Sequence, residues 1–212
     1  MNGAWMAAAV LGALAGAAAT PWMTIRGLAR LRRHHAVHPS LLPTSAVAGC
    51  AGGAVAIVAA YRAGTWWIVP ALLVWACALM AAAACDAATQ RIPTSLVRQA
   101  GVGSAGLLIV GLAVHGDWRG LILSGVAASA SGLIMLLCWR FAGAGFGDVR
   151  LATLGGLGLG HATYRGAMVG LVAFCVVTLI QAGVALARGG NRHTAIAFGP
   201  ALTTGALVAA AF

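Results

Sequence analysis

The chain has 212 residues, 61% of them hydrophobic and 8% charged, and its 13 arginines, three acids and absence of lysine give a net charge of +10. A mean hydropathy of +0.95 excludes an ordinary soluble domain and points to repeated crossing of a bilayer. The arginines sit in short connections between apolar runs and form no basic, aromatic-interleaved patch, which excludes nucleic acid as a partner.

In chain order, uncharged runs at 1–25, 41–61, 63–85, 99–116, 120–139, 151–164, 166–187 and 193–212 predict an all-α, polytopic membrane protein with about eight transmembrane helices, the sixth short. Between the first two runs lies RGLARLRRHHAVHPSLLP, with Arg26, Arg30, Arg32 and Arg33, whereas no charge precedes the first run. The positive-inside rule therefore expects the N-terminus outside and this cluster in the cytoplasm, and the same asymmetry argues against a cleaved signal peptide. Alternate threading places Arg91, Arg98, Arg140, Arg150, Arg188 and Arg192 on the cytoplasmic side as well. Only Arg62, Arg119 and Arg165 fall outside, and the C-terminus is expected outside too. With no linker, low-complexity tail or repeat, residues 1–212 read as one membrane-embedded domain, in which 1–62 form two helices joined by a basic cytoplasmic loop.

Most of the polar residues along this path have ordinary readings. Cys50, Cys77, Cys85, Cys138 and Cys175 form no C-x-x-C pair, so neither a disulfide framework nor a metal site is expected. His34, His35 and His38 read as an interfacial basic loop, and His115, His161 and His193 as residues at helix ends. Trp66 and Trp67 suit an interfacial aromatic belt. Gly155, Gly156, Gly158 and Gly160 suit close helix packing rather than phosphate binding. Pro93 and Pro200 are expected to end or kink helices, and Gly199-Pro200 to unwind a helix beside the functional site.

The acids are the informative residues. Threading puts Asp117 in the outer loop HGDWRG and both Asp86 and Asp148 at the cytoplasmic edge, where ionisable groups are functional candidates because hydrocarbon disfavours them. Asp86 closes the apolar run ALLVWACALMAAAAC. Asp148 follows the turn GAGFG, whose Gly145 and Gly147 allow a tight, positive-φ conformation and close backbone approach. A carboxylate there would lie near a helix N-terminus, with Arg150 adding positive charge. Two facing carboxyls that share one proton can divide the labour of acid and base, one activating water and the other protonating a carbonyl or a leaving amine.

These segments resemble the type IV prepilin peptidases, a family of GxGD membrane aspartyl proteases. Gly145-Phe146-Gly147-Asp148 with Val149-Arg150-Leu151 is similar to the family's GxGD motif and trailing Val-Lys-Leu. CDAATQRIPTSLV, Cys85 to Val97, is similar to its first catalytic segment, and AFGPALTTGAL, Ala197 to Leu207, to the Phe-Gly-Pro segment of its last helix. The resemblance implies a peptidase core over about 63–212, with Asp86 and Asp148 as the catalytic pair and Gly145, Gly147 and Arg150 supporting the turn. It also implies an aspartic endopeptidase of the bacterial inner membrane that removes the short basic leader of prepilin or pseudopilin precursors at the cytoplasmic face, without cofactor or metal.

The chain departs from the family pattern in places. The first connection is short and lacks the paired C-x-x-C domain of many members, so neither zinc nor S-adenosylmethionine is expected. Arg150 stands where Lys is usual, Thr94 where an acid is usual, and Cys85 where an apolar residue is usual. Two rival readings use the same acids. A presenilin-like intramembrane protease would carry Tyr-Asp where this chain has Cys85-Asp86 and would lack Phe-Gly-Pro. A small proton-coupled transporter would use the acids as a relay and place them near mid-membrane.

Overall fold

Helix α3, Val69–Thr89, shows how the chain is organised, because it is apolar on every face and about two thirds buried by its neighbours. A helix hydrophobic all round belongs inside a bundle, and α3 packs against α1 (Gly3–Leu31), α2 (Leu41–Ala63), α4 (Thr94–Val114), α6 (Phe146–Leu157) and α8 (Gly199–Ala211). The computed structural model describes residues 3–31, 41–189 and 196–212. His34, His35, His38, His193, Arg32, Arg33 and Arg192 lie outside the described residues. The remaining helices are α5, Trp118–Ala142, and α7, Tyr164–Ala187, with a single turn at Trp66–Ile68 leading into α3.

Six of these helices, α1 to α5 and α7, are long and apolar enough to cross a membrane, so the chain is an all-helical, multi-pass membrane protein. The expected sixth and eighth spans correspond instead to α6 and α8, of 12 and 13 residues. At 1.5 Å per residue they reach only about 18–20 Å, against about 30 Å of hydrocarbon. Local sequence accounts for this. Helix α5 is closed by Gly143 at φ 75°, the left-handed conformation in which glycine carries no Cβ penalty, and α6 ends among Gly155, Gly156 and Gly158. Helix α8 starts at Gly199-Pro200, where the proline ring pre-sets φ for a first turn. Pro93 likewise caps the start of α4, so both prolines open helices, contrary to the expectation that they end or kink them. Helix α4 also begins earlier than its charge-free run, placing Arg98 inside the helix, and α1 continues past Arg26 to Leu31.

Glycine sets how closely the helices approach. Gly12 and Gly16 of α1 face Gly53 and Gly49 of α2 in two reciprocal G-x-x-x-G patterns, and a Cβ on Gly49 would fall on the Gly16 carbonyl with Thr20 Oγ1 at 2.5 Å. Gly166 and Gly170 of α7 meet α8 in the same way, at Ala209 and Gly205. Gly156 and Gly158 bring α6 against the α5 backbone and the Trp75 indole, whose Nε1 donates to the Leu154 carbonyl at 2.7 Å. Helix α7 lies at the margin, packed on α8 and otherwise almost wholly exposed, as a lipid-facing helix should be.

This contact pattern separates two kinds of glycine. Gly49→Ala should destabilise the protein by about 1–3 kcal/mol through overpacking. Gly101→Ala, whose Cβ would meet nothing within 4 Å in mid-α4, should be neutral or stabilising by about 0.5–1 kcal/mol. Thermal unfolding in detergent distinguishes them, and equal effects at the two sites would contradict the packing described.

Candidate active site

The ends of α3 and α5 and the starts of α4, α6 and α8 converge at one end of the bundle around a cavity of about 800 Å³. Asp86, Asp148, Arg150, Gly145 and Gly147 all line it, so the five residues singled out in the sequence meet there although they come from separate segments. Gln90, Arg91, Ile92, Thr94 and the 196–198 segment complete the wall.

Both carboxylates are buried, with Asp86 5% and Asp148 7% exposed, and each is held by one backbone N–H at a glycine. Asp86 sits in the last turn of α3, where its Oδ2 accepts from Gly199 N at 2.8 Å, so the side chain meets the first residue of α8. Asp148 is the third residue of α6. Its Oδ2 accepts from Gly145 N at 3.0 Å while its own N–H donates to the Gly145 carbonyl at 3.0 Å, a reciprocal pairing that closes the helix start. Each acid thus lies at the N-terminal end of a short helix, where unpaired N–H groups and the helix dipole favour negative charge.

Contact rather than conformation favours glycine at three of these positions, most strongly at Gly199. A Cβ on Gly199 would stand 2.7 Å from Asp86 Oδ2, one on Gly145 3.1 Å from Asp148 Oδ2, and one on Gly147 3.2 Å from the Ile92 Cβ. The expected positive φ is not at Gly145, whose φ is −73°, nor at Gly147; it falls at Gly143.

Among the described residues neither carboxylate has a cationic partner within 4 Å. The one pairing of a carboxylate with a basic side chain within 4 Å among the described residues is Asp117 with His161, at 3.2 Å. Asp117 also caps α5 by accepting from Gly120 N at 2.9 Å, which assigns that acid a structural place. Arg150, expected to add charge beside Asp148, turns to α4 instead. Its Nη1 donates to Thr94 Oγ1 at 2.6 Å and its guanidinium lies 4.8 Å from the Phe146 ring centroid, which in turn packs edge-on to Trp139. Two of the three motif positions that depart from the pattern of the resembled family, Thr94 and Arg150, are therefore partners in one hydrogen bond.

Burial pushes the Asp148 carboxyl above the usual carboxylate range and the nearby charge of Asp86 adds to this, while the Gly145 N–H works in the opposite direction. Such an arrangement suits proton transfer, because one acid retains its proton beside another that ionises. Among the described residues no three His, Cys, Asp or Glu side chains gather as a metal site would require.

Sequence reasoning missed the amide of Gly199 as the partner of Asp86, although the Gly199-Pro200 pair was a visible sign of a break there. It also missed Gln90, a non-glycine residue at φ 52°, which no pattern in the sequence marks. No family model, curated protein or solved structure is detectably similar to the chain.

The raised pKa fixes the sign of a stability change. The folded protein holds the Asp148 proton more tightly than the unfolded chain, so the group's contribution to stability declines as pH rises from the unfolded value through the raised folded one. Asp148→Asn removes this penalty. Its thermal stability relative to wild type should increase as pH rises above the ordinary carboxylate range. A difference independent of pH would show that Asp148 carries no such penalty.

Proposed function

We propose that the protein is a membrane aspartyl endopeptidase of the type IV prepilin peptidase kind, which removes a short basic leader from prepilin or pseudopilin precursors. The single observation that carries this reading is the pair of buried carboxyls, Asp86 and Asp148, in one cavity at the helix ends, with no cation within 4 Å among the described residues. Agreement of three separate sequence segments with the family's catalytic segments adds to it: Cys85 to Val97, Gly145 to Leu151, and Ala197 to Leu207 all bear on that cavity or on the helix that bonds to Asp86.

In this reading the dyad shares one proton. Asp86 as carboxylate takes a proton from water as the oxygen attacks the scissile carbonyl carbon, while protonated Asp148 gives its proton to the carbonyl oxygen. The tetrahedral gem-diol then collapses: Asp86 gives its proton to the leaving amine as the C–N bond breaks, and a gem-diol hydroxyl returns a proton to Asp148 as the product carboxyl forms, which restores the dyad. No group outside the dyad has to change charge. The glycine N–H bonds hold each Oδ2 in place, so the reacting geometry is set before substrate arrives.

The proposed setting is a bacterial inner membrane with the cavity facing the cytoplasm and both termini outside. Residues 151–164 and 193–212 complete eight passes as shortened spans built on α6 and α8. Ten arginines would then face the cytoplasm and three the exterior, as the positive-inside rule requires. A precursor whose apolar helix stays in the bilayer would present its leader at the mouth of the cavity. The placement of the acids within the last turn of α3 and the first of α6, rather than at mid-helix, disfavours a proton relay.

Co-expression with a prepilin-like precursor, read as a size shift on a gel, tests the proposal. Wild type and Asp117→Asn should cleave, since Asn also caps a helix. Asp86→Asn and Asp148→Asn should not, and Gly199→Ala, which forces the Asp86 carboxylate aside, should lose on the order of a hundredfold in rate. Cleavage by the Asp86 or Asp148 variant contradicts an aspartyl mechanism.

A further inference from the structure

Helices α1, α3 and α4 enclose a second cavity, of about 170 Å³, whose wall shares no residue with the one that contains the carboxyls. Arg26, Ser95 and Gln99 give it a polar side, and Met23, Val74 and Ala100 an apolar one. It lies at the same end of the bundle as Asp86. Gly27, also in the wall, packs so closely that a Cβ there would stand 3.1 Å from both Cys85 Sγ and the Pro93 ring, and Ser95 directly follows Thr94 of the other cavity. Val74 is about three helical turns from Asp86 along α3, so the apolar side runs from that end toward the middle of the bundle.

Arg26 is exposed, and its guanidinium lies over the Trp22 ring, 3.8 Å from the centroid. Such a stack engages the face of the planar group, whereas its N–H donors lie in the plane. No acid of the chain neutralises this charge. The sequence holds three acidic side chains: Asp86 and Asp148 are bonded to Gly199 and Gly145 in the other cavity, and Asp117 caps α5 beside His161. None of them lies within 4 Å of Arg26, so its counter-charge comes from outside the chain.

We infer that this cavity binds an anionic phospholipid, with the phosphate on Arg26 and one acyl chain leaving along the apolar side. A guanidinium takes phosphate oxygens through two parallel N–H bonds, and Ser95 and Gln99 bring neutral donors to the same side. The exposed Trp22 suits head-group level, where indole rings gather in membrane proteins. A free inorganic anion would use the polar side alone. An apolar side that runs into the bundle matches a molecule with both a phosphate and a chain, and basic pockets between membrane helices hold phospholipid head groups in this way. In the orientation proposed above, the lipid comes from the cytoplasmic leaflet. The site uses neither carboxyl and does not depend on the peptidase reading.

The full chain in detergent, titrated with dioleoylphosphatidylglycerol, dioleoylphosphatidylcholine or inorganic phosphate, provides the test. Bound lipid is counted by native mass spectrometry, and the unfolding temperature is followed in parallel. Wild type should hold phosphatidylglycerol about fivefold or more tightly than phosphatidylcholine, and the bound lipid should raise its unfolding temperature. Arg26→Gln should weaken phosphatidylglycerol about tenfold and remove most of that preference. Gln99→Leu, which alters the same side from another helix, should weaken it about threefold. Both positions are exposed, so the lipid-free variants should unfold at the wild-type temperature. Arg98→Gln, an exposed arginine of α4 outside the cavity, should change the affinity by less than about twofold at physiological ionic strength. Equal losses in the Arg26 and Arg98 variants would reduce the effect to diffuse attraction by an arginine-rich end and overturn the inference. So would equal binding of the two lipids by wild type, or inorganic phosphate that raises the unfolding temperature as phosphatidylglycerol does.

Discussion

The structure depends on keeping two carboxyls inside an apolar bundle without cations. Burying a carboxylate in hydrocarbon is costly, and the usual remedy, a paired arginine or lysine, is absent at Asp86 and Asp148 among the described residues. The remedy here is backbone: one glycine N–H for each acid, at the start of a helix of only 12 or 13 residues. A partial positive charge supports the ionised form without suppressing protonation as a full cation would. That intermediate field distinguishes these two acids from Asp117, which caps a helix beside His161.

The shortness of α6 and α8 follows from the same requirement. A helix N-terminus can reach a buried side chain only if the helix begins inside the bundle. Glycine and proline set those beginnings: Gly143 turns the chain out of α5, and Gly199-Pro200 opens α8 against α3. Close packing holds the short helices once they are formed. Gly158 lies flat on Trp75, whose indole bonds the Leu154 carbonyl, and Gly205 meets Gly170 of α7. The arginine of the turn serves the same end, since Arg150 ties α6 to the start of α4 through Thr94 and leaves the carboxyls unpaired.

Much of this was legible in the sequence, and the rest was not for identifiable reasons. Hydropathy locates every apolar helix, because length and composition alone decide whether a segment can lie in a membrane. It does not report that the last 13-residue helix starts at Gly199, since Ile196 to Phe198 are as apolar as the helix they precede. The scarcity of acids brought Asp86 and Asp148 forward at once. Their hydrogen-bond partners were hidden because backbone N–H groups carry no sequence signature. The role expected of Arg150 failed for a related reason: proximity in sequence placed its charge near Asp148, but the side chain projects to another helix. The G-x-x-x-G pairs of α1 and α2 were present in the sequence, and a search for small residues at helical spacing would have found them.

The central claim, that burial first and the charge of Asp86 second raise the Asp148 carboxyl above its usual range, has a direct measurement. The chain contains three acidic side chains, so an Asp117→Asn background leaves only this pair for side-chain carboxyl spectroscopy. Infrared titration of isotope-labelled aspartate in nanodiscs should show Asp148 retaining its proton above the usual carboxylate range. Replacing Asp86 by Asn should move that titration to lower pH, because the neighbouring charge is gone while burial remains. An Asp148 that titrates in the usual range and does not respond to the loss of Asp86 would contradict the account.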